Sequence, residues 1–375
     1  MRIGFHAYLL NSGDSYRNAG ISQYIRQLLT AMQAEITGHD VTAFVNGGFS
    51  ERDLFPNTRI VQASGFGDKP LDRILFEQYT LPIAARRLKL DVLHGTAFAL
   101  PLMLPCAGVV SIHDVSFRWF RDAHHSSNRR YLSAISRLSV RRAKRIIAVS
   151  QATADDCVSL LGADRERVRV VYCGVDPFYH PRPAADVAAF RAVKGLTDPY
   201  ILFVGTLEPR KNLGNLLKAF AQARKRGLKH RLVVVGGAGW MYEDMLRRVR
   251  EDGLDDGVAF AGFAPAEEMP LWYGAADAFV YPSLLEGFGL PVAEAMACGT
   301  PVITSNTSSM PEVGGAAAAY ATPTSVDEIA DRLLEVANNV DCRAAMSAAG
   351  LKQAARFSWD KAARETMAVY AEATQ

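Results

Sequence analysis

Short β-branched apolar runs alternate along the chain with stretches whose apolar positions recur at helical spacing. In the first half the runs are RIGFHAY (2–8), VTAFVN (41–46), DVLHG (91–95), GVVSIHD (108–114), RIIAVS (145–150) and VRVVYCG (168–174). In the second half they are YILFVGT (200–206), RLVVVGG (231–237), VAFAGF (258–263), AFVYPS (278–283) and PVITSN (301–306). Strands separated by amphipathic helices predict parallel sheets with helical crossovers. Between the two sets lies VDPFYHPRPAADV, which has three prolines and neither period, and sets a boundary near 176 to 188. The expected fold class is α/β, two doubly wound Rossmann-like domains spanning 1–180 and 181–357. Such sheets bind ligands beyond the carboxyl ends of their strands, so a shared ligand would occupy an interdomain cleft. The last segment, 358–375, predicts one more helix capped by the side chain of Ser358.

Two domains also follow from size, since 375 residues exceed what a single core usually holds. Lys plus Arg number 42 against 39 Asp plus Glu, and the resulting +3 is too slight to point to nucleic acid. Cys106, Cys157, Cys173, Cys298 and Cys342 stand far apart without a C-x-x-C pair, which argues against a disulfide framework or zinc site and fits a reducing compartment. The start, MRIGFHAYLL, lacks the apolar core and cleavage site of a signal peptide, and no apolar run reaches the ~18 residues of a membrane span. A cytoplasmic protein is expected.

Candidate chemistry concentrates at strand ends. In LLEGFGLPVAEAMACGTP (284–301), Pro291 and Gly299 bracket a helix over 290–298, with Glu286 before it and Glu294 inside it. The unpaired amides and the dipole of that helix entrance suit a phosphate, and Gly287 and Gly289 allow close approach to the backbone. Arg210 and Lys211 lie between the strand ending in VGT and the helix NLGNLLKAFAQARKR, where they could hold a diphosphate. Gly20 ends a long loop, LLNSGDSYRNAG, and could bring the first helix's backbone to the same phosphates or simply begin that helix. His113 closes GVVSIHD and could be catalytic or a hydrogen-bonded core residue; His94 closes DVLHG with the same ambiguity, while His124 and His125 sit in a polar stretch read as exposed.

From Phe117 to Arg145 nine Lys/Arg residues face a single acid, Asp122, among Trp119, Phe120 and Tyr131. Leu132, Ile135 and Leu138 recur at helical spacing and leave a basic face, which could be solvated surface or could lie on anionic lipid.

Taken together these pieces resemble a retaining glycosyltransferase of family 4 with the GT-B fold, mannosyltransferase-like in its VGTLEPRKN loop. Glu286 and Glu294 match that family's E-x(7)-E motif, and AVSQATADD, VYCGVDPFYHP and GVVSIHD resemble further family segments. The resemblance implies that Glu294 holds the ribose of a nucleotide sugar, and that Glu286 with the backbone of 287–290, including Phe288, Gly289 and Leu290, holds the sugar and phosphates. Arg210 and Lys211 would then neutralise the diphosphate, and His113 would reach the transferred sugar. Many relatives carry Arg where this chain has Thr206, so Arg210 would supply that charge and Thr206 remains a donor-side position. The final helix is implied to pack back on the first domain.

The implied reaction is hexose transfer, from GDP-mannose by resemblance, to a glycan or lipid-linked acceptor with an α-bond formed. Fixed donors stabilise the departing diphosphate, no Asp-x-Asp pair suggests Mg²⁺ or Mn²⁺, and no cofactor is expected. The favoured course is attack on the face the diphosphate leaves, the leaving phosphate taking the acceptor's proton. The rivals are a UDP-sugar-dependent transferase of the same fold, a non-catalytic nucleotide-sugar binder and a twin-Rossmann dehydrogenase; VGGAGW (235–240) lacks the third glycine of a dinucleotide fingerprint, since position 242 is Tyr.

Overall fold

Among the described residues, the β-branched runs and two further edge segments form thirteen parallel strands in two sheets. In a computed structural model describing residues 1–12, 20–67, 70–119, 126–237 and 242–375, the first sheet contains β1 (Arg2–Ala7), β2 (Asp40–Val45), β3 (Thr58–Gln62), β4 (Val92–Gly95), β5 (Ala107–Ile112), β6 (Arg145–Ala148) and β7 (Val168–Val170). Its order is β3-β2-β1-β4-β5-β6-β7. The second contains β8 (Tyr200–Val204), β9 (Arg231–Val235), β10 (Val258–Gly262), β11 (Ala278–Tyr281), β12 (Val302–Ser305) and β13 (Ala318–Ala321), in the order β10-β9-β8-β11-β12-β13. The central strands are buried on both faces, which is why they read as continuous apolar runs.

Each sheet forms its own unit. One comprises Met1–Gly174 and Ser358–Gln375; the other comprises Val175–Phe357. The division falls at Gly174 and Val175 rather than after residue 180, because the Val175 N–H donates to the Phe357 carbonyl (3.1 Å) and fastens the start of the proline-rich segment to the second unit.

The closing helix, Trp359–Thr374, belongs to the first unit. Ser358 caps it by accepting from the Lys361 N–H, and Ala362, Ala363, Thr366, Val369, Tyr370 and Ala373 form its buried stripe. Glu372 anchors its end by pairing with Arg145 (2.9 Å) and Arg169 (2.8 Å), which begin or follow the start of β6 and β7. Tyr370 reaches deeper: its hydroxyl lies 2.6 Å from Nδ1 of His94, whose Nε2 is 2.8 Å from the Ser111 hydroxyl, itself 3.0 Å from the hydroxyl of Tyr24. His94 is therefore a core residue, and burial holds it neutral with a pKa near 3. Replacing Tyr370 by Phe removes one partner of this buried chain, and a loss of about 1–3 kcal/mol is expected in urea unfolding.

Candidate functional site

Within the second unit, β8 and β11 are the adjacent strands between which the chain order reverses. Loops leaving the carboxyl ends of such a pair flank the usual ligand crevice of a doubly wound sheet. Arg210 and Lys211 occupy a short 3₁₀ turn (Pro209–Lys211) after β8, and Glu286 lies in the loop after β11. Asn212 locks the two loops together. It takes the left-handed conformation (φ 63°) that Asn tolerates, and its side-chain amide donates to the Pro282 (2.9 Å) and Pro323 (2.6 Å) carbonyls. The Leu284 N–H adds a bond to the Arg210 carbonyl (2.8 Å).

This closure brings three sequence-predicted residues into one cluster. Glu286 is buried with each carboxylate oxygen paired: Oε2 takes Arg210 Nη1 at 2.7 Å, and Oε1 takes Lys211 Nζ at 2.7 Å. The hydroxyls of Ser283 (2.7 Å) and Tyr281 (3.0 Å) also meet Oε1, and Lys211 bonds Tyr281 as well. Burial alone would raise the Glu286 pKa, but Arg210 and Lys211 hold it down to about 2. Arg210 faces a second acid, since its Nε lies 2.6 Å from Glu208. Two cations thus meet two carboxylates, Arg210 facing Glu208 and Glu286 and Lys211 facing Glu286. Sequence reasoning missed Glu208, Tyr281 and Ser283; Glu208 stands two positions before Arg210 in LEPRKN, the one local signal available.

The helix Leu290–Ala297 begins as its Pro and Gly punctuation predicts. Gly289 precedes it at φ 103°, and a Cβ there would sit 2.2 Å from the Met310 methyl, so both conformation and space exclude larger residues. The Ser309 hydroxyl donates to the Phe288 carbonyl (2.8 Å), and Phe288 packs edge-on against Phe357. The backbone N–H groups of Gly289 and Leu290 donate to no acceptor among the described residues. Gly287 is buried beside them, and Thr206 is exposed at the end of the β8 loop.

Glu294, one turn inside the helix, has different company. The Tyr273 hydroxyl donates to it at 3.1 Å. Burial, and the nearby charge of Asp176, push its pKa up to about 7 against the opposing hydrogen bonds of Tyr273 and Tyr179. Tyr273 and Tyr179 were not foreseen; their rings meet edge-on.

In the first unit His113 follows β5, half-buried. Its Nε2 lies 2.8 Å from the Thr96 carbonyl, so that nitrogen carries the proton and Nδ1 is left as an acceptor. Burial lowers its pKa and keeps the ring neutral. Tyr24 packs edge-on against it at 4.6 Å, as does Phe98 at 5.5 Å. Gly20 precedes the helix Ile21–Met32 at φ 65°, its carbonyl accepting from the Tyr24 N–H. Residues 13–19 of the preceding loop, together with Phe120, Asp122, His124, His125 and Gly239, lie outside the described residues.

The family model described as "Glycosyl transferases group 1" matches residues 186–353, and that described as "Glycosyltransferase Family 4" matches 18–178. The O-antigen chain mannosyltransferase B of Escherichia coli is 35% identical over 290 residues, 76% of each chain. A D-inositol 3-phosphate glycosyltransferase of Mycolicibacterium smegmatis is 36% identical over 242 residues, covering 62% of this chain and 54% of the relative. In structure the chain resembles the sucrose-phosphate synthase of Thermosynechococcus elongatus (TM-score 0.79, 21% identity, 99% of this chain and 98% of that one). It also resembles Anabaena HepE in complex with UDP and glucose (TM-score 0.74, 19% identity, 98% of both).

Removing one partner from the buried Glu286 cluster leaves Lys211 uncompensated. The expected cost of Glu286→Ala is about 3 kcal/mol, and adding Lys211→Met should recover a substantial part of it in urea denaturation.

Proposed function

The chain belongs to glycosyltransferase family 4, with the GT-B fold, and we propose that it moves mannose from GDP-mannose to a glycan or lipid-linked acceptor with retention, forming an α-bond. The observation that supports this reading is the convergence of Arg210, Lys211 and Glu286 at the sheet's reversal point, in the same loop and helix entrance that carry Gly289 and Glu294. The 35% identity to a mannosyltransferase favours mannose over other hexoses.

In this reading the diphosphate enters against the Gly289 and Leu290 amides and takes over the Arg210 guanidinium, freeing one oxygen of Glu286 to accept a sugar hydroxyl. As the anomeric bond breaks, electrons move to the departing phosphate oxygen, where Arg210, Lys211 and the amides offset the growing charge. The acceptor hydroxyl attacks from the same face and passes its proton to that phosphate. His113 presents a neutral Nδ1 to a hydroxyl of the transferred sugar, a positioning contact that needs no proton transfer. Glu294 accepts the ribose hydroxyls as a carboxylate. No metal enters these steps, so turnover is expected to persist in EDTA.

Parallel donor incubations, with the product and its anomeric configuration identified, test the reading: α-mannosyl transfer from GDP-mannose, lost in Glu286→Ala, is the expected result. Preference for a UDP-sugar would replace the donor, and intact donors with every acceptor would favour a binding protein. The raised Glu294 pKa makes a second prediction. Because the ligand needs the carboxylate, GDP-mannose affinity should climb as pH rises toward about 7 and then level off. Stability moves oppositely, since the folded chain holds the extra proton between the ordinary carboxyl range and about 7. Calorimetric titration across this range should lose its pH slope in Glu294→Gln.

A further inference from the structure

Large exposed apolar side chains gather on one stretch of the first unit. Leu71 (63% exposed), Leu75, Tyr79 (68%) and Ile83 (54%) recur every four residues through the helical segment Pro70–Arg87. In an uninterrupted α-helix a four-residue step overshoots a full turn by about 40°, and such a stripe would wind off the face. Here Phe76–Thr80 is a π-turn, and the extra residue it accommodates sets the stripe back into line. Phe76, Leu81 and Ala85 point into the core, so the segment is anchored while its outer face stays apolar.

A second element extends the patch. The loop after β4 carries Leu102 and Met103, the latter 81% exposed, and Gln78 of the π-turn accepts from the Leu102 N–H at 3.0 Å. The same loop is tied to the basic helix Ser126–Arg142: the Leu100 N–H donates to Ser139 (2.9 Å), and Arg142 Nη2 donates to the Leu104 carbonyl (3.1 Å). Exposed Arg141 and Arg142 therefore flank the apolar stripe on one side, and Arg86, Arg87 and Lys89 follow it on the other. The nearby acids are engaged: Asp72 accepts from the Gly67 N–H, Glu77 is buried, and Asp91 pairs with Arg2. In the basic helix itself Ile135 is buried and Leu132 packs on the core, while Leu138 stays 43% exposed, so this helix adds charge and one apolar side chain beside the stripe.

We propose that this face docks on an anionic lipid surface, with Leu71, Leu75, Tyr79, Ile83, Leu102 and Met103 entering the headgroup boundary and the arginines contacting lipid phosphates. Apolar side chains ringed by cations fit such a surface. A symmetric pairing with a second copy would bring like-charged rims together. The proposal goes beyond the donor reading and stands apart from it, since lipid binding needs no sugar nucleotide.

The test is sedimentation of the full chain with phosphatidylcholine vesicles, with and without phosphatidylglycerol, at low and high salt. Binding to the anionic vesicles, weakened by salt, is expected, with a loss of at least about ten-fold in Tyr79→Glu/Ile83→Glu and in Met103→Glu. Arg141→Gln should cost about five-fold at low salt. Val193→Glu, at an exposed apolar position of the second unit, should change nothing. Absence from the low-salt pellet overturns the proposal, as does equal loss in Val193→Glu or unchanged binding in the stripe variants. A concentration-dependent dimer abolished by Tyr79→Glu/Ile83→Glu would assign the face to a second copy and also overturn it.

Discussion

A single buried carboxylate organises the second unit. Glu286 cannot sit away from water as an anion unless cations meet it, and Arg210 and Lys211 arrive from the loop after the neighbouring strand to do so. The requirement is mutual, because buried Lys211 has its own pKa lowered by burial and by Arg210 and is kept charged by Glu286. The pairing therefore fixes the separation of two strand ends, and with it the entrance of the helix Leu290–Ala297. Asn212, with its two carbonyl contacts, Ser283 and Tyr281 complete the hydrogen bonding that makes so dense a charge cluster tolerable.

Two acids of one motif end up with opposite character. Cations hold Glu286 ionised, whereas burial and the like charge of Asp176 outweigh the tyrosine hydrogen bonds at Glu294, so it keeps a proton to about neutral pH. Environments that drive paired carboxyls apart divide their chemistry. One carboxylate is ionised and paired in the loop framework; the other is held protonated to about neutral pH. Identical residue types eight positions apart thus meet different environments.

Much of this was legible in the chain. Central strands announced themselves as continuous apolar runs, and Pro291 and Gly299 marked the helix to within a residue. Two edge strands escaped: β3, TRIVQ, carries polar residues on its exposed side, and β13, AAYA, is alanine-rich and reads as helix. The carboxylate motif and the basic loop could be named separately, but not their pairing, since residues 76 apart meet only through the sheet order. Glu208 looked like an ordinary loop acid for the same reason. His94 and His113 were indistinguishable as strand-end histidines. What separates them is the neighbour each finds: Tyr370 of the closing helix and Ser111 consume both nitrogens of His94, while Thr96 takes only one of His113.

The first unit shows why surface chemistry is the hardest layer to read. Charge counts along the chain leave 117–145 open as solvated surface or as a lipid-facing segment, and folding turns Ile135 and Leu132 of that helix inward while Leu138 stays exposed. The segment Pro70–Arg87, by contrast, carries more apolar positions than its inner face buries. Only the π-turn decides which residues are left outside, and it does so by keeping a four-residue repeat on one line while Phe76, Leu81 and Ala85 satisfy the interior. The polar groups of this unit meanwhile lie within it, as in the chain from Tyr370 through His94 and Ser111 to Tyr24. That chain is stable because its hydroxyls and ring nitrogens find partners in one another, and exterior apolarity persists because the anchoring residues beneath it hold the backbone in place.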